Sequence, residues 1–289
     1  MIAIRWPLLG LVAAVCACSS PAPKESAPAG DAAAAEAPAE APPATEERVR
    51  PPEMSGIDEN ADVIARAMCD ALRDSKRFSF HADTTMERML SNGSMVEVPA
   101  SVQITVRRPD GVRVDRMSVK GHRIVQYDGK QIGVLDVDKR LYAKGDAPPT
   151  IDEMIDALEK RFDIVLPLSD LVAEDPYIAF SEEFADDGVL LGVFPYRGKQ
   201  CDVLAYRNES IDWQIWVARD GPRVPLRLAI RYESEPGIPR FIADLSDWNL
   251  SDTTADSEFT FSPPADAKPI EIVKRAAEGP TAAADGEKR

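Results

Sequence analysis

The chain offers few residues of the kinds that do covalent or acid–base chemistry. Its two histidines, His81 and His122, are far apart in sequence, and a metal centre needs three or four converging ligands. His81 falls on the polar side of an alternating stretch, two residues from Asp83, and both histidines read as surface residues. Asp136-Val137-Asp138 sits at a hairpin turn without the remaining ligands of a calcium loop. No Gly-x-Ser-x-Gly elbow, His-Glu-x-x-His helix, phosphate loop or dinucleotide fingerprint occurs. The expectation is therefore a protein that is not an enzyme, with no catalytic residue, no metal and no cofactor. A motif-less hydrolase, whose carboxylates would meet only in space, is the alternative.

The cysteines carry more information. Behind Arg5, an apolar run through Leu11-Val12-Ala13-Ala14-Val15 ends at Cys16-Ala17-Cys18. It is shorter than the roughly 20 residues that span a bilayer and reads as a secretory signal. The run resembles the lipobox of bacterial lipoproteins, whose cysteine is acylated and becomes the mature N-terminus. Cys18 fits better than Cys16, because small Ala17 precedes it whereas branched Val15 precedes Cys16. The resemblance implies acyl chains such as palmitate on Cys18. With Ser19 rather than aspartate next, it also implies outer-membrane retention facing the periplasm. The other two cysteines, Cys69 and Cys201, have two readings: a disulfide in an oxidising compartment, or small buried hydrophobes.

Composition bounds the rest. The net charge is −15, from 49 acidic and 34 basic residues. Nucleic acid, which demands clustered cations, is a poor partner, and anionic lipid would repel the chain, so an anchor would have to hold it at a membrane. Residues 1–17 are expected to be the signal. Residues 18–56, rich in Pro, Ala and Glu, are expected to be a disordered tether from the acylated cysteine. Residues 57–271 are expected to fold as one domain, and 272–289 to form a disordered tail.

Within that domain, Ile57, Ala61, Ile64, Met68, Ala71 and Leu72 recur at helical spacing. From Phe78 the period becomes two, and turns at Asn92-Gly93, Arg108-Pro109-Asp110-Gly111 and Asp128-Gly129 punctuate a meander. Thr150-Ile151-Asp152-Glu153 opens a helix as a capping box, and a second helical run spans 168–173. Strands are expected again at 189–194, 201–207, 211–217, 226–232, 240–249 and 259–261. About eleven strands with one apolar face give the expected fold: α+β, a curved antiparallel sheet in a half-open barrel. An N-terminal helix and a central helical insertion would cover it, leaving an apolar cavity beneath.

Counting by two places side chains. Arg108 shares parity with Val102, Ile104 and Val106, and Trp213 shares parity with Ile211, Ile215 and Val217. Arg108, Ile104, Val106, Trp213 and Ile215 are thus the candidate contacts of a ligand under the helices. Trp216 falls on the opposite side.

Several stretches resemble the LolA/LolB-like superfamily of periplasmic proteins, in the same order along the chain. They are Phe78-Ser79-Phe80-His81-Ala82, Arg108-Pro109-Asp110-Gly111-Val112, Asp128-Gly129-Lys130 and Phe259-Thr260-Phe261-Ser262-Pro263-Pro264. Asp212-Trp213-Gln214-Ile215-Trp216 and Leu245-Ser246-Asp247-Trp248-Asn249 resemble a family of predicted periplasmic proteins of unknown function within it. The resemblance implies that Arg108 contacts a helical lid and helps hold it closed. It also implies a membrane-anchored protein binding a lipid or acyl chain, or else a sensor module gripping an envelope protein partner. The hairpin at Val119-Lys120-Gly121-His122 is short and basic, unlike the leucine-bearing loop of the membrane receptor in that superfamily.

Overall fold

The computed structural model describes residues 55–162 and 168–270. The signal, Cys18, the tether up to residue 54 and the tail lie outside the described residues. Helix α1 (Glu59–Asp74) starts at Asp58, whose carboxylate accepts from Ala61 N at 3.3 Å. Glu59 and Asp62 in its first turn and Arg73 in its last complement the helix dipole. It buries Ala61, Ala65, Met68, Cys69 and Leu72, and the small residues at its start let Tyr206 reach the Ala61 carbonyl at 3.3 Å.

Six strands follow as a meander: β1 (Arg77–Met89), β2 (Met95–Arg107), β3 (Gly111–Ser118), β4 (Gly121–Tyr127), β5 (Gln131–Asp136) and β6 (Leu141–Asp146). After the helical insertion come β7 (Asp187–Tyr196), β8 (Lys199–Arg207), β9 (Ile211–Ala218), β10 (Pro225–Tyr232) and β11 (Arg240–Asn249). A two-residue strand, β12 (Lys268–Pro269), ends the described chain, parallel to β6. The order across the sheet is β12-β6-β5-β4-β3-β2-β1-β11-β10-β9-β8-β7. The two meanders therefore meet where β11 pairs with β1.

The half-open barrel is not what forms. Twelve strands make one open sheet, with β12 and β7 at opposite ends of its order, neither closed nor strongly curled. A barrel must bring its edge strands into register, whereas this sheet buries its apolar face under helices instead. That inner face carries Phe78, Phe80, Ala82 and Met86 of β1 with Val102, Ile104 and Val106 of β2, all buried.

The expected strand at 259–261 is also corrected. This segment begins in a 3₁₀ turn (Asp256–Glu258) and crosses the outer face as a strap. Phe259 is fully buried against Gly111 and Arg107, and Phe261 lies on Gly133 and Tyr142. Ion pairs from Arg77 and Arg107 to Asp256 and from Arg113 to Glu258 hold it.

The cover of the inner face is α1, α2 (Ile151–Phe162), α3 (Ser169–Val172) and a 3₁₀ turn (Pro176–Phe180). Glu153 N donates to Thr150 Oγ1 at 3.3 Å, the backbone half of the expected capping box. Ile151, Met154, Ile155 and Leu158 of α2 enter the same apolar cluster as Val112, Tyr127 and Ile132.

Candidate functional site

The two ends of the helical insertion are gathered at one turn, Arg108-Pro109. Ile151 N, opening α2, donates to the Pro109 carbonyl at 2.9 Å. At the other end, Arg108 Nη1 donates to the carbonyl of Val172 at 2.9 Å and to that of Ala173, where α3 ends. Asp152 of α2 closes the loop by accepting from Glu174 N at 2.9 Å. The guanidinium of Arg108 lies 5.3 Å from the centroid of the Phe78 ring. Burial pulls the Arg108 pKa below its usual value, against the charges of Asp152 and Glu174, which favour the cation. Its Nε and Nη2 are buried without a hydrogen-bond partner among the described residues.

Ile104, Val106, Trp213 and Ile215 all lie in the core under the helices, with Val106 and Ile215 fully buried. They do not converge: β2, which carries the first pair, is separated from β9, which carries the second, by β1, β11 and β10. Trp213 stacks on Tyr206 at 5.5 Å and meets Phe184 at 5.5 Å. In this conformation that part of the inner face is filled by the protein's own side chains. Trp216 is on the outer face, 5.5 Å from the Arg227 guanidinium.

The possible Cys69–Cys201 disulfide is not formed; both are free, buried thiols. Cys69 faces the sheet from α1, whereas alternation along β8 turns Cys201 away from the side on which Leu204 and Tyr206 pack. His81 bonds Asp83 and Ser101, each at 3.2 Å, and His122 bonds Asp115 at 2.7 Å. Among the described residues, no group of three or more His, Cys, Asp or Glu is arranged to hold a metal.

Sequence reasoning missed two features. The first is a pair of depressions on the outer face. One of about 430 Å³ is lined by Asp83, Thr85, Ser101, Met117, Val119 and Ile242. The other, of about 390 Å³, is lined by Asp212, Trp216, Arg227, Arg231 and Arg240 among others. The second is Asp170 on α3, whose carboxyl is pushed up to about 7 by burial. No local pattern marks either, because both are made by elements distant in the chain.

Residues 61–273 match the family described as "Predicted periplasmic protein (DUF2092)", and the chain belongs to it. Comparison with curated protein sequences gives no match. Among solved structures, an uncharacterised conserved protein from Thermus thermophilus is similar at 10% identity and a TM-score of 0.45, covering 74% of this chain and 99% of that one. MucB is similar at 18% identity and a TM-score of 0.39, covering 72% and 65%. A LolA superfamily protein from Nitrosomonas europaea is similar at 11% identity and a TM-score of 0.33, covering 70% and 97%.

Proposed function

We propose that this is a non-enzymatic, Cys18-anchored lipoprotein of the periplasm. It binds an apolar ligand, a lipid or acyl chain, between the inner face of the sheet and the helical insertion. The observation that carries this reading is Arg108. A core meant to stay shut would be better served there by an apolar side chain, because a buried cation costs desolvation. Arg108 instead engages two carbonyls at the end of the insertion and leaves two nitrogens unpaired. Such a polar latch can be undone, whereas interdigitated packing cannot without a larger cost. In the closed state the apolar side of α2 occupies the place the ligand takes. Binding removes hydrocarbon from water at ~0.8 kcal/mol per CH₂.

Native mass spectrometry of the full chain, purified without detergent, tests this. A co-purifying lipid, or uptake of a fatty-acid probe, is the expected result. Arg108→Leu should tighten binding of that probe by about tenfold, because it removes a charge-assisted hydrogen bond that holds the closed, unliganded state. A clean apo mass with no uptake would overturn the reading. An unchanged affinity in Arg108→Leu would remove Arg108 from it.

A second reading, a protein-interaction module, draws on the edge strand β7. Its start is covered by a bridge from Ile57 to Gly188. Beyond that point Leu191, Val193 and Phe194 are exposed on a strand that pairs only with β8 among the described residues. An extended segment of a partner would add there as a further strand.

A further inference from the structure

The inner face of the β2–β6 meander is ordered in rows. Val106, Val112, Tyr127 and Ile132 lie opposite one another, and so do Ile104, Val114, Val125 and Val134. The next row, further from Arg108, reads Val102, Arg116, Arg123, Asp136. Two arginines thus stand directly opposite each other, on the covered face, where apolar residues precede them. Like charges so placed destabilise a sheet.

Among the described residues, neutralisation there is incomplete. Arg116 donates to Ser118 Oγ at 2.9 Å and makes no ion pair among the described residues. Asp136 is 3.8 Å from Arg123 and is shared with Lys139 at 3.3 Å. Burial lowers the pKa of Arg116, and the charges of Arg123 and Arg88 lower it further. Lys120 feels the same three arginines. Several other arginines are closely paired: Arg227 with Asp244 at 2.6 Å, Arg107 with Asp110 at 3.0 Å, Arg113 with Glu258 at 3.2 Å. In a chain with 49 acidic residues, two facing arginines with so little carboxylate beside them among the described residues call for an external anion.

We infer that Arg116 and Arg123 form a seat for an oxyanion, the phosphate or carboxylate head of an amphiphile whose tail lies along the two apolar rows. This rests on the proposed function and adds the class and the orientation of the ligand. The head lies at the Arg116 end and the tail points towards Arg108.

The test compares three probes on the full chain by isothermal titration: myristoyl lysophosphatidylglycerol, monomyristin and inorganic phosphate. The anionic lipid should bind at least about tenfold more tightly than monomyristin, as expected for one charge-assisted contact. The double variant Arg116→Gln/Arg123→Gln should erase that preference while leaving monomyristin binding intact. Arg113→Gln, on the opposite face, should preserve it. Binding of phosphate alone that is lost in the double variant would also support the seat, with a free anion as its source. If neither lipid binds while such phosphate binding is seen, the proposed function falls and the seat stands. If both lipids bind equally, or the preference survives in the double variant, the seat is overturned while lipid binding stands. Removing one of two facing cations should not unfold the protein: Arg116→Gln is expected to raise the melting temperature.

Discussion

Asp170 illustrates how a single side chain ties the insertion to acidity. Its carboxyl, enclosed on α3, titrates near 7 instead of its ordinary 3.8, because burial penalises the charge. The folded state thus binds a proton that the unfolded chain releases. The stability linked to this group is fully present below about pH 4 and is lost as pH rises towards 7. The slope is at most about 1.4 kcal/mol per pH unit. Urea midpoints measured from pH 5 to pH 8 should fall with rising pH, and Asp170→Asn should flatten that fall. Tyr232, on β10, senses the Asp170 charge, so the enclosure joins elements about sixty residues apart in the chain. That distance is why the sequence does not disclose it. Arg108 is the opposite case: its side follows from counting by two from Val102, and its partners Val172 and Ala173 close the second helical run read from the sequence.

At the scale of elements, the strap shows how a correct periodicity can lead to a wrong assignment. Phe259-Thr260-Phe261 alternates like a strand because both phenyl rings turn towards the sheet, yet the backbone between them pairs with no strand. The informative residues were the glycines beneath. A Cβ on Gly133 would lie 1.9 Å from Phe261 Cγ, and one on Gly111 would lie 3.1 Å from Phe259 Cδ1. Gly133→Ala is therefore expected to lift the strap and destabilise the domain by roughly 1–3 kcal/mol. Hydrogen exchange should report it as faster exchange in β5, β6 and residues 256–270. No change in exchange there would mean that the ring finds another place. Strand β6 is less legible: Leu141–Asp146 ends in Lys144-Gly145-Asp146, which lacks an apolar alternation, and its pairing with β5 makes it a strand. The helices and the long β1–β2 hairpin were legible because capping residues and alternation act locally.

For the whole molecule, the sequence establishes that a long antiparallel sheet has one face to bury, but not how. Curling and helical cover satisfy the same hydrophobic pattern. The proposed membrane address rests on the Cys18 stretch alone, which needs no fold. Cys18→Ala should shift the protein from the membrane to the soluble fraction on cell fractionation; continued pelleting with membranes would refute the anchor. The placing of β1 has a consequence for biogenesis. Its neighbours are β2, made within the next twenty residues, and β11, made more than 150 residues later. One side of the first strand stays bare until almost the entire domain has been made. A chain stalled or clipped before Arg240 would expose a long unpaired edge in a compartment crowded with other nascent polypeptides. Quality control in the envelope would meet this protein chiefly as that unfinished half.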